Sequence, residues 1–175
     1  SHDLKKEFTQ NLRVWNAVLD SLTLSIRFED PEILFQVGSA ELNQHFKNIL
    51  DNFFPRFIQI LTDPKYKNEI EEIRIEGHTS SEWSGENSPY QAYFNNMELS
   101  QDRTHNVLIY ILSKIKDEKL FNWTKSKLTA NGLSSSKLIY NLDQTENKER
   151  SRRVEFKIKT NAEQQIIRIL EQSKE

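Results

Sequence analysis

The chain has 175 residues, 24 Lys plus Arg against 26 Asp plus Glu, and a formal net charge of −2. That length fits one domain, and the near-zero balance argues against a protein that coats nucleic acid or holds membranes through a polybasic surface. There is no Cys, which excludes disulfide frameworks and thiolate metal sites, and no run of 18 apolar residues that would span a bilayer.

Ser1-His2 reads as the remnant of an expression tag, and the chain as an excised piece of a longer protein. Residues 3–18 are predicted as an amphipathic helix, with Leu4, Phe8, Leu12, Trp15 and Leu19 recurring at steps of three and four. Leu22 to Phe28 alternates strictly between apolar and polar, the mark of a strand. Glu29-Asp30-Pro31 is a turn signal, and Ile33-Leu34-Phe35 reads as a second short strand ending at Gly38-Ser39. Ser39 is the expected N-cap of a long helix carrying Leu42, Phe46, Ile49, Phe53, Phe57 and Ile60 on one face, kinked at Pro55.

Ile70 to Glu76 is predicted as a strand, with Ile73 and Ile75 on one face and Arg74 and Glu76 on the other. Residues 80–96 read as a long polar and aromatic loop, and loops of that length in compact domains tend to be functional. Ser100 is the expected cap of a second long helix burying Val107, Leu108, Ile111, Leu112 and Ile115. A short helix over 120–127 and a strand over 128–130 follow, then a polar connection over 133–150. Arg152 to Lys159 alternates again, with Val154, Phe156 and Ile158 inward and Glu155, Lys157 and Lys159 outward. A final helix is expected over 162–171. The order predicts an α+β fold, a small sheet with two main helices packed on one face, flanked by extra helices at both ends.

Arg103 is the most informative residue on physical grounds. Placed in the first turn after a Ser100 cap, its cation would oppose the helix dipole. Either it holds an anion off the helix end, or it is an exposed side chain paired with Asp102 or Glu98. Arg152 lies at the margin of the apolar face and can present its head to a pocket. Arg150 and Arg153 read as solvated edge charges. His78 follows Gly77 at a strand end, with no nucleophile elbow near it, and the histidines show no metal-ligand spacing. Glu82, Glu86 and Asp102 have nothing to fix the separation that a pair of glycosidase acids requires. No catalytic residue, metal ligand or cofactor is predicted.

Three segments in this order resemble a known family. Gly77-His78-Thr79, then Asn96-Met97-Glu98-Leu99-Ser100-Gln101-Asp102-Arg103, then Arg152-Arg153-Val154-Glu155-Phe156 are similar to the G-H-T-D, N-x-x-L-S-x-x-R and N-R-R-V-E motifs of the OmpA-like (OmpA/MotB C-terminal) peptidoglycan-binding domain. Gly38-Ser39-Ala40 and Leu42 match the family's strand-to-helix passage. The resemblance covers residues 30–160. Residues 3–29 then form an N-terminal linker or dimerisation region, and 161–175 a C-terminal helix. The long stretch from Thr79 to Asn96 resembles the MotB-like motor-stator branch, and the flanking runs resemble the MotB-like subunit of Zorya-type anti-phage systems.

The resemblance implies a β-α-β-α-β(β) two-layer sandwich and noncovalent binding of the diaminopimelate residue of the peptidoglycan stem peptide, without enzymatic activity. Carried over by position, Arg103 would hold a carboxylate and Thr79 and Ser80 would line the pocket. Asn95, Asn96, Met97 and Leu99 would form its wall, and Arg152 would close it. It also implies a periplasmic domain of a single-pass inner-membrane protein, a homodimer, and a MotA-like channel subunit as partner, reached through an N-terminal transmembrane helix. An envelope tether, a cell-wall hydrolase using His78 and loop acids, and a domain that only dimerises are the rivals. The sequence departs from the family at Ser80, where the family Asp contributes to recognition of the ligand's ammonium group and where Glu82 or Glu86 could substitute. It departs also at Ser151, which stands for Asn, and at Ser136, which stands for Pro.

Overall fold

The computed structural model describes residues 1–174. The elements run α1 (His2–Leu12), β1 (Ala17–Asp20), β2 (Ser25–Glu29), α2 (Pro31–Leu34), α3 (Gln44–Leu61), β3 (Ile70–His78), α4 (Pro89–Ser113), α5 (Glu118–Lys127), β4 (Leu128–Gly132), α6 (Lys148–Ser151), β5 (Arg153–Thr160) and α7 (Ala162–Gln172). The strands form one sheet in the order β1-β2-β5-β3-β4. Only β3 and β4 pair in parallel, across the α4–α5 crossover; the other three pairs are antiparallel. The mixed α+β architecture expected from the sequence is the one observed. No helix among the described residues is long and apolar enough to cross a membrane.

The core lies between the sheet and α3. Strand alternation points Ile26, Phe28, Ile73, Ile75, Val154 and Phe156 to one side, all buried. Helical spacing aims Phe46, Ile49, Leu50, Phe53, Phe54 and Phe57 at them. Phe53 is the hub, with ring centroids 5.2 Å from Phe8, 5.2 Å from Phe28, 4.9 Å from Phe57 and 5.1 Å from Phe156. Offset and tilted aromatic pairs of this kind add to plain burial. Pro55 sits inside α3 without ending it.

The two long helices begin elsewhere than expected. Asn43, not Ser39, is the N-cap of α3, and the Asn43 amide donates instead to the carbonyls of Glu32 and Ile33. Ser39 forms a turn, its hydroxyl accepting from the Glu41 N–H at 3.0 Å. α4 begins more than two turns earlier than predicted. Ser88 caps it, its hydroxyl accepting from the Gln91 N–H, and Pro89 supplies the first helical residue, where a missing N–H costs nothing. Ser100 is an interior residue, fully buried, whose hydroxyl donates to the Met97 carbonyl and accepts from the Ser134 N–H.

The N-terminal region also differs. The predicted 3–18 helix stops at Leu12, because Asn16 takes a φ of 50° and turns the chain into β1. Trp15 is still buried, but from the turn. The predicted strand over 22–28 shortens to Ser25–Glu29, since the Asp20 carboxylate caps the N–H groups of Leu22 and Thr23 in a hairpin turn. Residues 33–35 are not a strand: Pro31–Leu34 forms one helical turn, and Phe35 keeps only a single bridge to Leu42.

Candidate functional site

The sheet ends where the site begins. The antiparallel register pairs His78 with Arg153, which carries Thr79, the next residue, alongside Arg152. Both point to the helix side, beyond the last core residues. α4 reaches this end because Gly77 lets it approach: a Cβ there would lie 2.8 Å from the Thr104 methyl and 2.9 Å from the Ser100 carbonyl. Ala92, Asn96, Leu99 and Arg103 recur along α4 at steps of four, three and four, and so form one stripe facing the strand ends.

The result is an open groove of about 870 Å³. Thr79 and Ser80 form its floor, the α4 stripe one wall, the 81–89 loop a second and the Glu32-to-Gly38 segment a third, with Arg152 at one end. Thr79 is fixed by its N–H to the Ser134 carbonyl at 2.9 Å and its hydroxyl to the Ser80 carbonyl at 2.9 Å. The buried Asn96 amide donates to the carbonyls of Ser80 and Glu82 at 3.2 and 2.9 Å, so it ties the loop to the helix. Ser81 donates twice to the Glu146 carboxylate, at 2.9 and 2.6 Å.

Arg103 is half-buried, and no carboxylate pairs with it among the described residues. Its Nε donates to the Ser39 carbonyl at 2.9 Å, an Nη reaches toward the Gln36 carbonyl at 3.5 Å, and the guanidinium stacks over the Phe35 ring at 4.7 Å. Burial, with the Arg152 cation nearby, lowers its pKa to about 10, so it stays charged at neutral pH. Arg152 Nε lies 3.4 Å from the Ser80 hydroxyl and an Nη 3.5 Å from the Glu82 carboxylate. Glu82 also pairs with Lys148, which holds its carboxyl below the ordinary range.

Six of the eight residues expected at the site line one groove: Thr79, Ser80, Asn96, Leu99, Arg103 and Arg152. Asn95 and Met97 do not. They flank Asn96 on the helix, and one residue's step is about 100°, which turns both off the stripe. Asn95 accepts from the Gln91 amide at 2.8 Å instead. Arg103 lies in the middle of α4, not in its expected first turn, so its cation is stranded by burial and not by a helix end. Sequence reading missed Phe35, Ala92 and Trp83 as lining residues. The 4-3-4 spacing ending at Arg103 was a usable signal for Ala92.

The opposite face of the sheet holds a second polar cluster. Arg153, expected at a solvated edge, is buried. It donates to Glu155 at 2.9 Å and to the carbonyls of Ser151 and Lys137. Glu155, expected outward, is buried with it. His78 Nε2 lies 3.3 Å from Glu76 and 3.9 Å from Glu155, and Arg74 Nε donates to Glu76 at 2.9 Å. Burial raises the Glu76 carboxyl, but the His78 and Arg74 hydrogen bonds more than offset this and hold it at about 2. Glu76, His78 and Glu155 bring one ligand atom each to within 4.8 Å of one another. Arg27, Arg74 and Arg153 already crowd the two carboxylates, so a dication here would enter a site whose fixed charge is positive. The arrangement is an ion-pair ladder.

A two-layer sandwich with its groove at the strand ends, between a helix stripe and the last strand, defines the class. The sequence matches the OmpA family over residues 34–152, and the chain belongs to that family. Within it the chain is similar to Zorya protein ZorB of Escherichia coli (strain ATCC 8739), 47% identical over 166 residues, which is 95% of this chain and 70% of that protein. Among solved structures, a MotB-like protein from Desulfovibrio vulgaris matches with a TM-score of 0.64 at 28% identity, over 90% of this chain and 87% of that one. Two others share the fold at 18% identity. The cell wall anchor of the T6SS from Pseudomonas aeruginosa has a TM-score of 0.59, over 90% and 96% of the two chains. The periplasmic domain of Helicobacter pylori MotB has 0.54, over 90% and 97%.

Proposed function

We propose that this chain is the peptidoglycan-anchoring domain of a MotB-like stator subunit. In this reading the groove holds the stem peptide noncovalently at its diaminopimelate residue and carries out no reaction. Arg103 takes a ligand carboxylate, Arg152 closes the same end, and Asn96, Leu99, Thr79 and Ser80 shape the pocket. The domain lies in the periplasm and dimerises. Its partner is a MotA-like channel subunit, reached through a membrane-spanning helix outside these residues, and the complex serves anti-phage defence. The identity to Zorya protein ZorB and the likeness to MotB-like and cell wall anchor domains support the reading.

The observation that carries it is Arg103. Its half-buried guanidinium has, among the described residues, only backbone carbonyls and a ring as partners, and beside a second Arg this is an incomplete electrostatic arrangement. A carboxylate completes it with charge-assisted, bidentate hydrogen bonds. The test is co-sedimentation with purified diaminopimelate-type sacculi. Wild type should pellet and Arg103→Ala should stay in solution. Equal pelleting of both would place wall binding on another surface, and pelleting of neither would favour a domain that serves dimerisation alone.

A further inference from the structure

The end of the domain opposite the groove carries an apolar surface that the fold does not use. β5 ends there at Thr160, which pairs with Ile70 at the start of β3, and α7 follows after Asn161. That junction is held. The Asn161 N–H donates to the Glu69 carbonyl at 3.0 Å, and its side-chain amide to the Asn68 carbonyl at 3.4 Å. α7 therefore leaves the sheet from a clipped root. Along it, Ile166, Ile169 and Leu170 share one side by helical spacing, with Ile167 at the margin and Arg168 opposite. Ile166, Ile167, Ile169 and Leu170 are 54 to 64% exposed, whereas α3 and α4 bury their apolar stripes. Every described side chain from Ile166 to Lys174 is exposed. An 11-residue helix with no packed face is marginal in water, because helices draw most of their stability from an amphipathic face that meets a partner. Leu22 is fully exposed at the tip of the β1–β2 turn, and the pairing of Ser25 with Lys157 puts that turn at the same end. Ser1, Asp3 and Leu4 line a small cavity with Ile70 and Thr160, so the first residues of the chain lie here too.

We propose that α7 is the surface through which two copies of this chain associate, helix against helix, at the end opposite the groove. This rests on the reading of the domain as a dimer and names the face that makes it. Charge and area identify the occupant. In sequence, Arg168 and Lys174 are outnumbered by acids from Ala162 onward, whereas a helix that lies on lipid carries a basic polar face. The side formed by Ile166, Ile169 and Leu170 holds no charge, and a two-fold axis sets the same uncharged stripe of a second copy against it. The four exposed side chains offer on the order of 400 Å² per copy, the size of patch that marks an interaction site. Two such faces bury about 800 Å² together, below the roughly 1,200 Å² of a stable complex, so the pair forms reversibly with concentration. Tethering the two chains side by side at their first residues raises the local concentration, and the pair then lets both grooves engage at once.

The experiment is sedimentation velocity on the intact chain, at concentrations up to about 1 mM, the range that tethering provides. Wild type should dimerise reversibly, and Leu170→Asp should weaken the dimer by about tenfold or more, since it buries an unpaired charge in the seam. The two should melt alike as monomers, because Leu170 is not part of the core. The chain has no Cys, so one introduced thiol reports its own neighbour. With a short bismaleimide, Ile166→Cys should give a covalent dimer, and Arg168→Cys, on the far side of α7, should not. A wild type that stays monomeric overturns the proposal, as does cross-linking that is as fast from Arg168→Cys as from Ile166→Cys. A dimer that persists in Leu170→Asp also overturns it and moves the interface to another surface. Flotation of wild type with anionic vesicles, lost in Leu170→Asp, overturns it in favour of a lipid surface. The groove is tested apart from this: a soluble diaminopimelate muropeptide should bind wild type and Leu170→Asp alike, and Arg103→Ala should dimerise as wild type does. A muropeptide that binds neither chain sinks the anchor reading, and an Arg103→Ala that fails to dimerise sinks the assignment to α7.

Discussion

On the helix side of the sheet Phe28, Phe53, Phe57 and Phe156 gather with ring centroids 4.9 to 6.1 Å apart. On the other side of the same strands run Arg153, Glu155, His78, Glu76 and Arg74. One face is held by burial, which is non-directional and tolerates small shifts. The other is held by ion pairs, which fail if the geometry slips. Both end at the groove. The ladder residue His78 precedes Thr79, and Arg153 follows Arg152, so the ion pairs fix the two strand ends that the groove is made from. The apolar face is packed by rings, and the polar face is paired by charge.

The sharpest way to break this contrast is to empty the apolar face. Phe53→Ala should lose about 3 to 5 kcal/mol, measured by denaturant unfolding, with a deficit that changes little between low and high salt. Arg153→Met comes next. It leaves Glu155 buried with its closest cation gone and should cost about 3 kcal/mol, while Arg153→Met combined with Glu155→Leu should recover much of that loss. A recovery that fails would show that the ladder is needed as charge and not as filling.

A smaller effect separates the faces by pH. The folded Glu76 carboxyl is held at about 2, below its ordinary 4.5. Its contribution is complete above the unfolded value and is lost as pH falls from about 5 toward 2. Thermal melts of wild type should fall through that window, and Glu76→Gln should flatten part of the slope; Phe53→Ala should leave it unchanged. The smallest effect belongs to the surface. Glu7→Gln removes the exposed ion pair to Arg56 at 2.7 Å and should cost less than about 1 kcal/mol. Arg56 keeps its place over the Phe8 ring at 5.0 Å.

The sequence carried the apolar face well. Alternation in Ile73 to Glu76 and in Val154 to Ile158, and three-four spacing from Phe46 to Phe57, are local signals that survive folding. The ladder was illegible for a physical reason. Glu155 and Arg153 alternate like solvent-facing residues, and only the 137–151 segment, folded back over them, buries them. The groove was legible in part, through Arg103, Thr79 and Arg152. The start of α4 was misread because Ser100 has the residue type of a cap; the true signal, Ser88-Pro89, lay in a stretch that read as loop. That error displaced Arg103 to a helix end; Asn95 and Met97 entered the pocket wall separately, carried over by position with the family's motif.

The register of β3 and β5 has a mechanical consequence. Thr79 follows the last residue of β3, and Arg152 precedes the first of β5, so a ligand seated between them grips adjacent antiparallel strands at the same end. Tension applied along the strands pulls both in one direction, so their mutual ladder from His78↔Arg153 to Ile70↔Thr160 is not sheared. The two strands move as one plate, and the load passes to the pairs at its margins, β5 with β2 and β3 with β4.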